Sequence, residues 1–295
     1  YNELDQIETI SQGGITETRI YNSLAQLCKT YRPDVGMTAF GYDSQRRTKW
    51  QYSGNLSNAE SCAITSAQQA QAMSIDYDSQ GNVWKQKFND NTPDKTFTYD
   101  DGGLLKNLVA GPVTWSYLYD NQNNITSETL SLDNKSFNIG WSYDSNANLS
   151  SITYPSSRIV QYAPNALGQP TKAGNYATQL SYAPSGQIES MRLGNNIVKT
   201  TVFDAHLRPK KLQDSLGSKR IIDYSLGYDN NSNLSYQSDL VNSNKSISDL
   251  LYDGLNRLTN VNGDWGLADF DYDELGNIKR KQLGSKVIDF HYQNN

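Results

Sequence analysis

The sequence predicts an all-β fold built from tandem β-hairpin repeats of about 20 residues, joined into one long antiparallel sheet. Three observations predict it. An aromatic residue recurs at Tyr1, Tyr21, Tyr42, Tyr77, Tyr99, Tyr119, Tyr143, Tyr162, Tyr182, Phe203, Tyr228, Tyr252, Tyr272 and Tyr292, at intervals of 19 to 25 residues with one exception of 35. Nine of these fourteen aromatics are followed directly by Asp, and several repeats place Gly or Asn three residues after that. The residues leading into the aromatics alternate in character, as in Phe137, Ile139, Trp141 and Tyr143, which is the period of a strand.

Each repeated letter has a physical reason. Asp43, Asp78, Asp100, Asp120, Asp144, Asp204, Asp229, Asp253 and Asp273 stand where a type I turn begins, a position that favours a carboxylate able to accept nearby backbone N–H groups. Gly81, Gly103, Gly186 and Gly276 stand three residues past the turn start, where the chain enters positive φ at no steric cost, and Asn123 and Asn256 fill the same slot. Two residues further an apolar residue restarts a strand, for example Val83, Leu105, Leu258 and Ile278. The turns after Tyr42 and Phe203 lack Gly or Asn in the slot, and Tyr162 has two extra residues before Gly168. These three are expected to be less regular. The repeat aromatics are expected to stack in ladders between adjacent hairpins.

The chain of 295 residues reads as a single array over 1–295, with an insertion at 53–72 inside the long interval. Ser57-Asn-Ala-Glu60 has the form of a capping box, and the Ala- and Gln-rich run after it favours a short helix. Starting at Tyr1 with neither Met nor signal peptide, the chain reads as a piece of a longer protein.

Composition excludes several function classes. A net charge of −5 and short basic runs, Lys279-Arg280-Lys281 and Arg208 with Lys210 and Lys211, argue against nucleic acid. The runs read as solvated strand faces. No apolar stretch is long enough to span a membrane. Cys28 and Cys62 read as free thiols, too few for a disulfide scaffold.

No catalytic, cofactor-binding or metal-ligating residue is predicted. His206 falls in a turn and His291 in a strand, each isolated from a nucleophile. The prominent aspartates recur once per repeat, as a turn requires, whereas paired catalytic carboxylates would occur once. Asp269 to Gly276 imitates the start of a calcium loop but has Glu274 at the sixth position and Arg280 at the twelfth. The sites singled out are therefore the structural motif itself: Tyr42, Tyr77, Tyr99, Tyr119, Tyr143, Tyr182, Phe203, Tyr228, Tyr252 and Tyr272, with the aspartates and glycines above.

Thirteen periods of two strands make about 26 strands, roughly 125 Å of sheet at about 4.8 Å per strand. A sheet that long must curl, and closed as one ring it would be too wide for side chains to fill. The expected form is one to two turns of a spiral, part of a hollow wall.

Units such as Tyr77-Asp-Ser-Gln-Gly81-Asn-Val83, Tyr252-Asp-Gly-Leu-Asn256-Arg-Leu258 and Tyr272-Asp-Glu-Leu-Gly276-Asn-Ile278 resemble the Rhs, or YD-repeat, family along essentially the whole chain. The family includes bacterial Rhs toxins, C subunits of insecticidal toxin complexes, wall-associated proteins and teneurins. The resemblance implies a β-shell that encloses a toxin segment, contacts the rest of its parent polypeptide and a secretion or delivery component, and leaves a bacterial cell. A surface adhesion or carbohydrate-binding module is the alternative. The chain shows none of the family's self-cleavage motifs, so no residue here inherits that chemistry.

Overall fold

The computed structural model describes residues 1–54 and 61–292, which divide into two units, Tyr1–Gly140 and Trp141–Tyr292. In the first unit the strands Thr9–Gln12, Ile15–Tyr21, Leu27–Arg32, Gly36–Tyr42, Thr48–Gly54 and Met73–Tyr77 follow one another. Val83–Lys87, Lys95–Tyr99, Leu105–Ala110, Val113–Tyr119, Ile125–Leu132 and the start of Lys135–Tyr143 continue the series. Each pairs antiparallel with the next. Short strands rich in Tyr, Thr, Val and Ile separated by turn-forming Asp, Asn and Gly can form little else.

In the second unit Leu149–Thr153 pairs with Ile159–Gln161, and two further meanders follow. One is a six-stranded sheet of Ala177–Tyr182, Ile188–Leu193, Val198–Phe203, Pro209–Leu216, Lys219–Tyr228 and Leu234–Asp239. The other has five strands, Ser248–Tyr252, Leu258–Gly263, Gly266–Tyr272, Ile278–Leu283 and Lys286–Asp289. The ladder is thus interrupted twice in this unit. Between residues 162 and 176 only single bridges form, among them Pro164 with Pro170, and proline has no N–H to donate to a ladder. Near residue 240, Asp239 turns its carboxylate onto the N–H groups of Val241 and Asn242, both at 2.9 Å, and starts a detour through the 3₁₀ turn Ser243–Lys245.

Among the described residues, strands make extensive backbone contact with their sequence neighbours alone. Buried apolar residues are few, chiefly Cys28, Met37, Ala39 and Ala72 in the first unit and Val160, Leu226, Leu250, Val261 and Ala268 in the second.

Aromatic side chains fill gaps left by glycine. Trp50 is the cross-strand partner of Gly41, and Tyr236 of Gly227, and each ring lies where a Cβ on that glycine would stand.

Three expectations are corrected. Cys28 and Cys62 are not free thiols but a disulfide, with Cα atoms 5.4 Å apart across 34 residues of sequence. The reason is local: Cys28 is the extra residue of a β-bulge, between the Tyr21–Leu27 and Ile20–Lys29 pairs, and a bulge re-aims side chains. His291 lies beyond the last strand, which ends at Asp289. The insertion does contain a helix, Ser66–Gln71, but its capping box is Thr65 with Gln68; the Ser57–Glu60 pattern lies outside the described residues.

Candidate functional site

The repeating unit of this molecule is a five-residue turn, and its geometry recurs with little variation. In the turn from Asp78 to Asn82, the Asp78 N–H donates to the Asn82 carbonyl at 2.9 Å and the Gly81 N–H to the Asp78 carbonyl at 3.1 Å. Gly81 has φ 92°. The ladder shifts register immediately before Tyr77, which pairs with Val83. A residue at positive φ followed by a bulge is a known way to match a longer hairpin loop to the twist of its strands.

The aspartate organises the loop. Its Oδ1 accepts from two backbone N–H groups, those of Gln80 and Asn82 at 2.9 Å each, and its Oδ2 accepts from the Asn82 side chain at 3.2 Å. Asp120 with Asn124, Asp144 with Asn148, Asp229 with Asn233 and Asp273 with Asn277 repeat this arrangement. Arginine takes the asparagine's place against Asp43, Asp204 and Asp253 through Arg47, Arg208 and Arg257. The Asp100 carboxylate accepts from the backbone N–H groups of Gly102 at 2.9 Å and Leu104 at 2.8 Å.

These bonds favour the ionised carboxylate. At Asp204 and Asp253 the backbone N–H of the arginine four residues on is the largest influence and holds the carboxyl below its ordinary range. At Asp120 and Asp273 the amide of Asn124 or Asn277 leads. At Asp43, Asp78 and Asp229 the largest single effect is burial, which raises the value, and the summed donors outweigh it.

The tyrosines do something the sequence reading missed. Eight of the hydroxyls named here reach back to the preceding repeat and donate to a backbone carbonyl, in most cases that of the residue that restarts its strand. Tyr42 bonds Leu27 at 2.6 Å, Tyr77 bonds Thr48 at 2.8 Å, Tyr99 bonds Val83 at 2.7 Å and Tyr119 bonds Leu105 at 2.8 Å. Tyr182, Tyr228, Tyr252 and Tyr272 do the same to Pro170, Pro209, Leu234 and Leu258. Burial raises the hydroxyl pKa at Tyr42, Tyr99, Tyr119, Tyr182, Tyr228 and Tyr252. The available signal was the near-exclusive choice of Tyr over Phe at a position where ring packing alone would accept either. Phe203 is the single exception in the series and has no hydroxyl to offer.

The arginines add a second link between repeats. Arg47 lies over the Tyr77 ring at 4.0 Å, Arg208 over Tyr228 at 4.4 Å and Arg257 over Tyr272 at 4.5 Å. Arg208 is therefore not the solvated surface charge expected of it. Lys211 is also engaged, 3.3 Å from the carboxylate of Asp223, which is 1% exposed and also paired with Arg220. Glutamine in the same slot as these arginines links turn to turn: Gln6 donates to the Ala25 carbonyl at 2.8 Å and Gln26 to Arg46 at 3.1 Å.

The three turns expected to be irregular are not. Arg46 and Leu207 enter positive φ, 66° and 62°, and close the same pair of backbone bonds as Gly81. After Tyr162 the turn simply starts two residues later, at Asn165, with Gly168 at φ 78°.

His291 lines an open cavity with Asp271, Lys279, Arg280 and Asp289, whereas His206 stands in a turn. His206 is an exposed turn residue whose N–H donates to Asp204 at 2.8 Å, and His291 is exposed. Asp269 pairs with Asn260, Asp271 faces Arg280 across the ladder, and Asp273 serves its own turn, so the three point to separate tasks. Among the described residues no group of three or more His, Cys, Asp or Glu is arranged to hold a metal, and no helix is long and apolar enough to cross a membrane.

The family model described as the teneurin YD-shell matches residues 57–168. No curated protein sequence matches the chain. Among solved structures, the crystal structure of TcdB2-TccC3-Cdc42 is similar, with a TM-score of 0.75 and 11% identity over 92% of this chain and 16% of that one. The crystal structure of TcdB2-TccC3 gives a TM-score of 0.73 and 11% identity over 92% of this chain and 18% of that chain. A Photorhabdus luminescens Tc holotoxin pore with a mutated TccC3 gives 0.71 and 11% over 93% and 18%. At such identities the likeness is one of fold, and this chain spans less than a fifth of the length of those it matches.

Proposed function

We propose that the chain, of which residues 57–168 match the teneurin YD-shell model, is a member of the Rhs/YD-repeat family and a non-catalytic length of shell wall whose inner contents are a toxin segment of the same parent polypeptide. One observation carries the proposal. Each unit buries few apolar side chains, whereas a stable sheet buries its apolar face against a second layer. Large apolar side chains remain open on it, among them Trp84, Leu118, Ile159, Leu251 and Trp265. The missing layer must come from elsewhere, and an enclosed segment or further wall supplies it.

The wall needs no active site. Its recurrent aspartates and tyrosines are consumed in turn and tether bonds, which leaves no free nucleophile–base pair in the motif. The partners are then the rest of the parent chain, the enclosed segment and a delivery component, and the destination lies outside the producing bacterium.

The test uses the full parent polypeptide. Limited proteolysis should leave a cargo segment intact while the shell is folded and digest it once the shell is acid-opened. Equal digestion of all segments in the folded protein would defeat the enclosure, and saturable turnover of an ester, peptide or glycoside lost on a single substitution would defeat the scaffold.

One observation favours a second reading, a carbohydrate-binding surface module. Tyr154, Arg158, Tyr162 and Tyr176 line a cavity of about 550 Å³ in the second unit, with Arg158 5.9 Å from the Tyr176 ring centre. Aromatic faces beside a cation suit an acidic sugar. Glycan-array binding lost in Tyr176→Ala would favour that reading; no binding to any glycan would remove it.

A further inference from the structure

Among the described residues, every buried side chain of the first unit lies in one place: Cys28 at 2% exposure, Lys29 at 4%, Met37 at 2%, Ala39 at 0% and Ala72 at 2%. Elsewhere in the unit no described side chain is buried. What differs here is the arm of residues 61–72, which returns over the sheet. Lys29 faces Ala39 across the ladder, and Met37 faces Tyr31 two pairs along, on the same face.

The arm is held at few points. Cys62 is bonded to Cys28. The Lys29 ammonium donates to the Ala63 carbonyl at 2.7 Å. At the far end the Asn89 side chain donates to the Ala72 carbonyl at 2.6 Å. The helix Ser66–Gln71 buries no residue, so it adds little packing of its own. The strand that follows pairs with Thr48–Gly54 through Trp50–Ser74 and Gln51–Met73 alone.

Of these, the covalent link carries the arm's position. A six-residue helix is too short to be stable in isolation. A lysine taken out of water with one neutral acceptor is poorly compensated, and burial lowers its pKa. Freed of the disulfide, Lys29 gains by returning to water, and nothing apolar on the helix resists.

We propose that residues 61–72 are a redox-gated cover: the Cys28–Cys62 bond latches them onto the sheet, and a thiol reductant releases them and bares the patch of Lys29, Met37 and Ala39. The surrounding hairpins stay folded, because each is fixed by its own turn and tyrosine tether.

The step balances as a thiol–disulfide exchange. A thiolate of the reductant, a dithiol or two monothiols, attacks the half-exposed Cys62 sulfur, and the buried Cys28 sulfur leaves as thiolate and takes a proton. A second thiol resolves the mixed disulfide and frees the Cys62 thiol. Two electrons and two protons pass to the protein, and the reductant becomes its own disulfide. The latch closes in an oxidising exterior and opens in a reducing interior.

The experiment is hydrogen exchange on the intact chain with and without dithiothreitol, with free thiols counted in parallel. Amide protection at residues 64–72 should fall by about tenfold or more on reduction while Tyr99 to Tyr119 is unchanged. Acylation of the Lys29 amine should rise by about tenfold or more, towards that of the exposed Lys106. Cys62→Ser should show the open pattern without reductant; it leaves the sheet residue Cys28 in place, so it tests the latch separately from folding of the bulge. Two free thiols in the untreated protein, or full reduction with exchange and Lys29 acylation both unchanged, would overturn the proposal. Loss of protection throughout the first unit would also overturn it, since the bond would then be a fold-wide staple.

Discussion

Two neighbouring turns in the second unit, Ala183–Gln187 and Asp204–Arg208, reach the same backbone by opposite means. In the first, the Ala183 N–H meets the Gln187 carbonyl at 2.9 Å and Gly186 sits at φ 83°. It has no turn carboxylate, and glycine supplies the conformation freely. In the second, the Asp204 N–H meets the Arg208 carbonyl at 2.9 Å, but the positive-φ residue is Leu207, at 62°. Here Asp204 and Arg208 hold a conformation that leucine disfavours. Gln187 joins the two turns, donating to the Leu207 carbonyl at 3.2 Å. The repeat therefore tolerates loss of either letter while the other remains.

The largest effect expected to separate them is acid. The carboxyl of Asp204, like those of Asp120, Asp144, Asp253 and Asp273, sits below its ordinary value because it accepts N–H bonds in the fold. Each lowered group contributes stability that is present above the unfolded value of about 3.9 and is lost as pH falls through the lower folded value. Hydrogen exchange at falling pH should open Leu207 and Asn256 before Gly186. Simultaneous opening of all three would mean the carboxylates do not fix the turns. In the opposite direction, the raised tyrosine hydroxyls stabilise below about pH 10 and cease to do so as pH rises through their folded values.

Next in size is Gly186→Val. No carboxylate braces this turn, so the substitution should cost about 1–3 kcal/mol and loosen the hairpin of Ala177–Leu193, read as a lowered urea midpoint. The same change at Gly81, where Asp78 remains, should leave the turn formed but strained. Equal local protection in both variants would show that the aspartate frame adds nothing.

Asp204→Ala attacks the other turn. It removes two backbone N–H bonds to the carboxylate and the Arg208 pair, and leaves Leu207 at positive φ held by the turn's backbone bonds and Gln187 alone. Its destabilisation should fall between those of Gly186→Val and Tyr252→Phe. Protection lost at Leu207 and retained at Gly186 is the expected signature; unchanged exchange at Leu207 would contradict the frame.

Tyr252→Phe deletes one tether, the 3.0 Å bond to the Leu234 carbonyl, and keeps the ring. A cost of about 0.5–1.5 kcal/mol is expected. Because stability in such arrays is close to a sum of local and neighbour terms, exchange should increase in the adjoining hairpins alone. Uniform loosening through the second unit would point instead to one cooperative core.

The hairpin order, the turn positions and the Asp role could be read from Tyr77-Asp-Ser-Gln-Gly81 and its relatives because local chemistry decides them. Arg46 and Leu207 show where that reading stops: a slot without Gly looked irregular, yet hydrogen bonds from Asp43 and Asp204 impose the turn. The tether of Tyr42 to Leu27 spans two repeats, so no single unit reveals it. The Cys28–Cys62 bond depends on a bulge and an arm whose path no local pattern encodes. The break in the ladder at Pro164 and Pro170 departs from the single continuous sheet expected, because neither proline has an N–H to donate.

The smallest effect gives the sharpest contrast between the two turns. Leu207→Gly removes a side chain that is 54% exposed, so little packing is lost. It relieves an L-residue held at φ 62°, a strain of about 1–2 kcal/mol. Against that, glycine adds about 0.4–1 kcal/mol of conformational freedom to the unfolded chain. The balance is a gain of a few tenths of a kcal/mol, or none, where nearly every other substitution in the motif destabilises. Gly186→Leu, the reverse exchange in the neighbouring turn, should destabilise by more than Leu207→Gly stabilises, because no aspartate there offsets the strain. Measured together by urea unfolding, the pair tests the complementarity directly. Equal and opposite effects would mean that the two turns carry the same strain and that Asp204 contributes nothing beyond it.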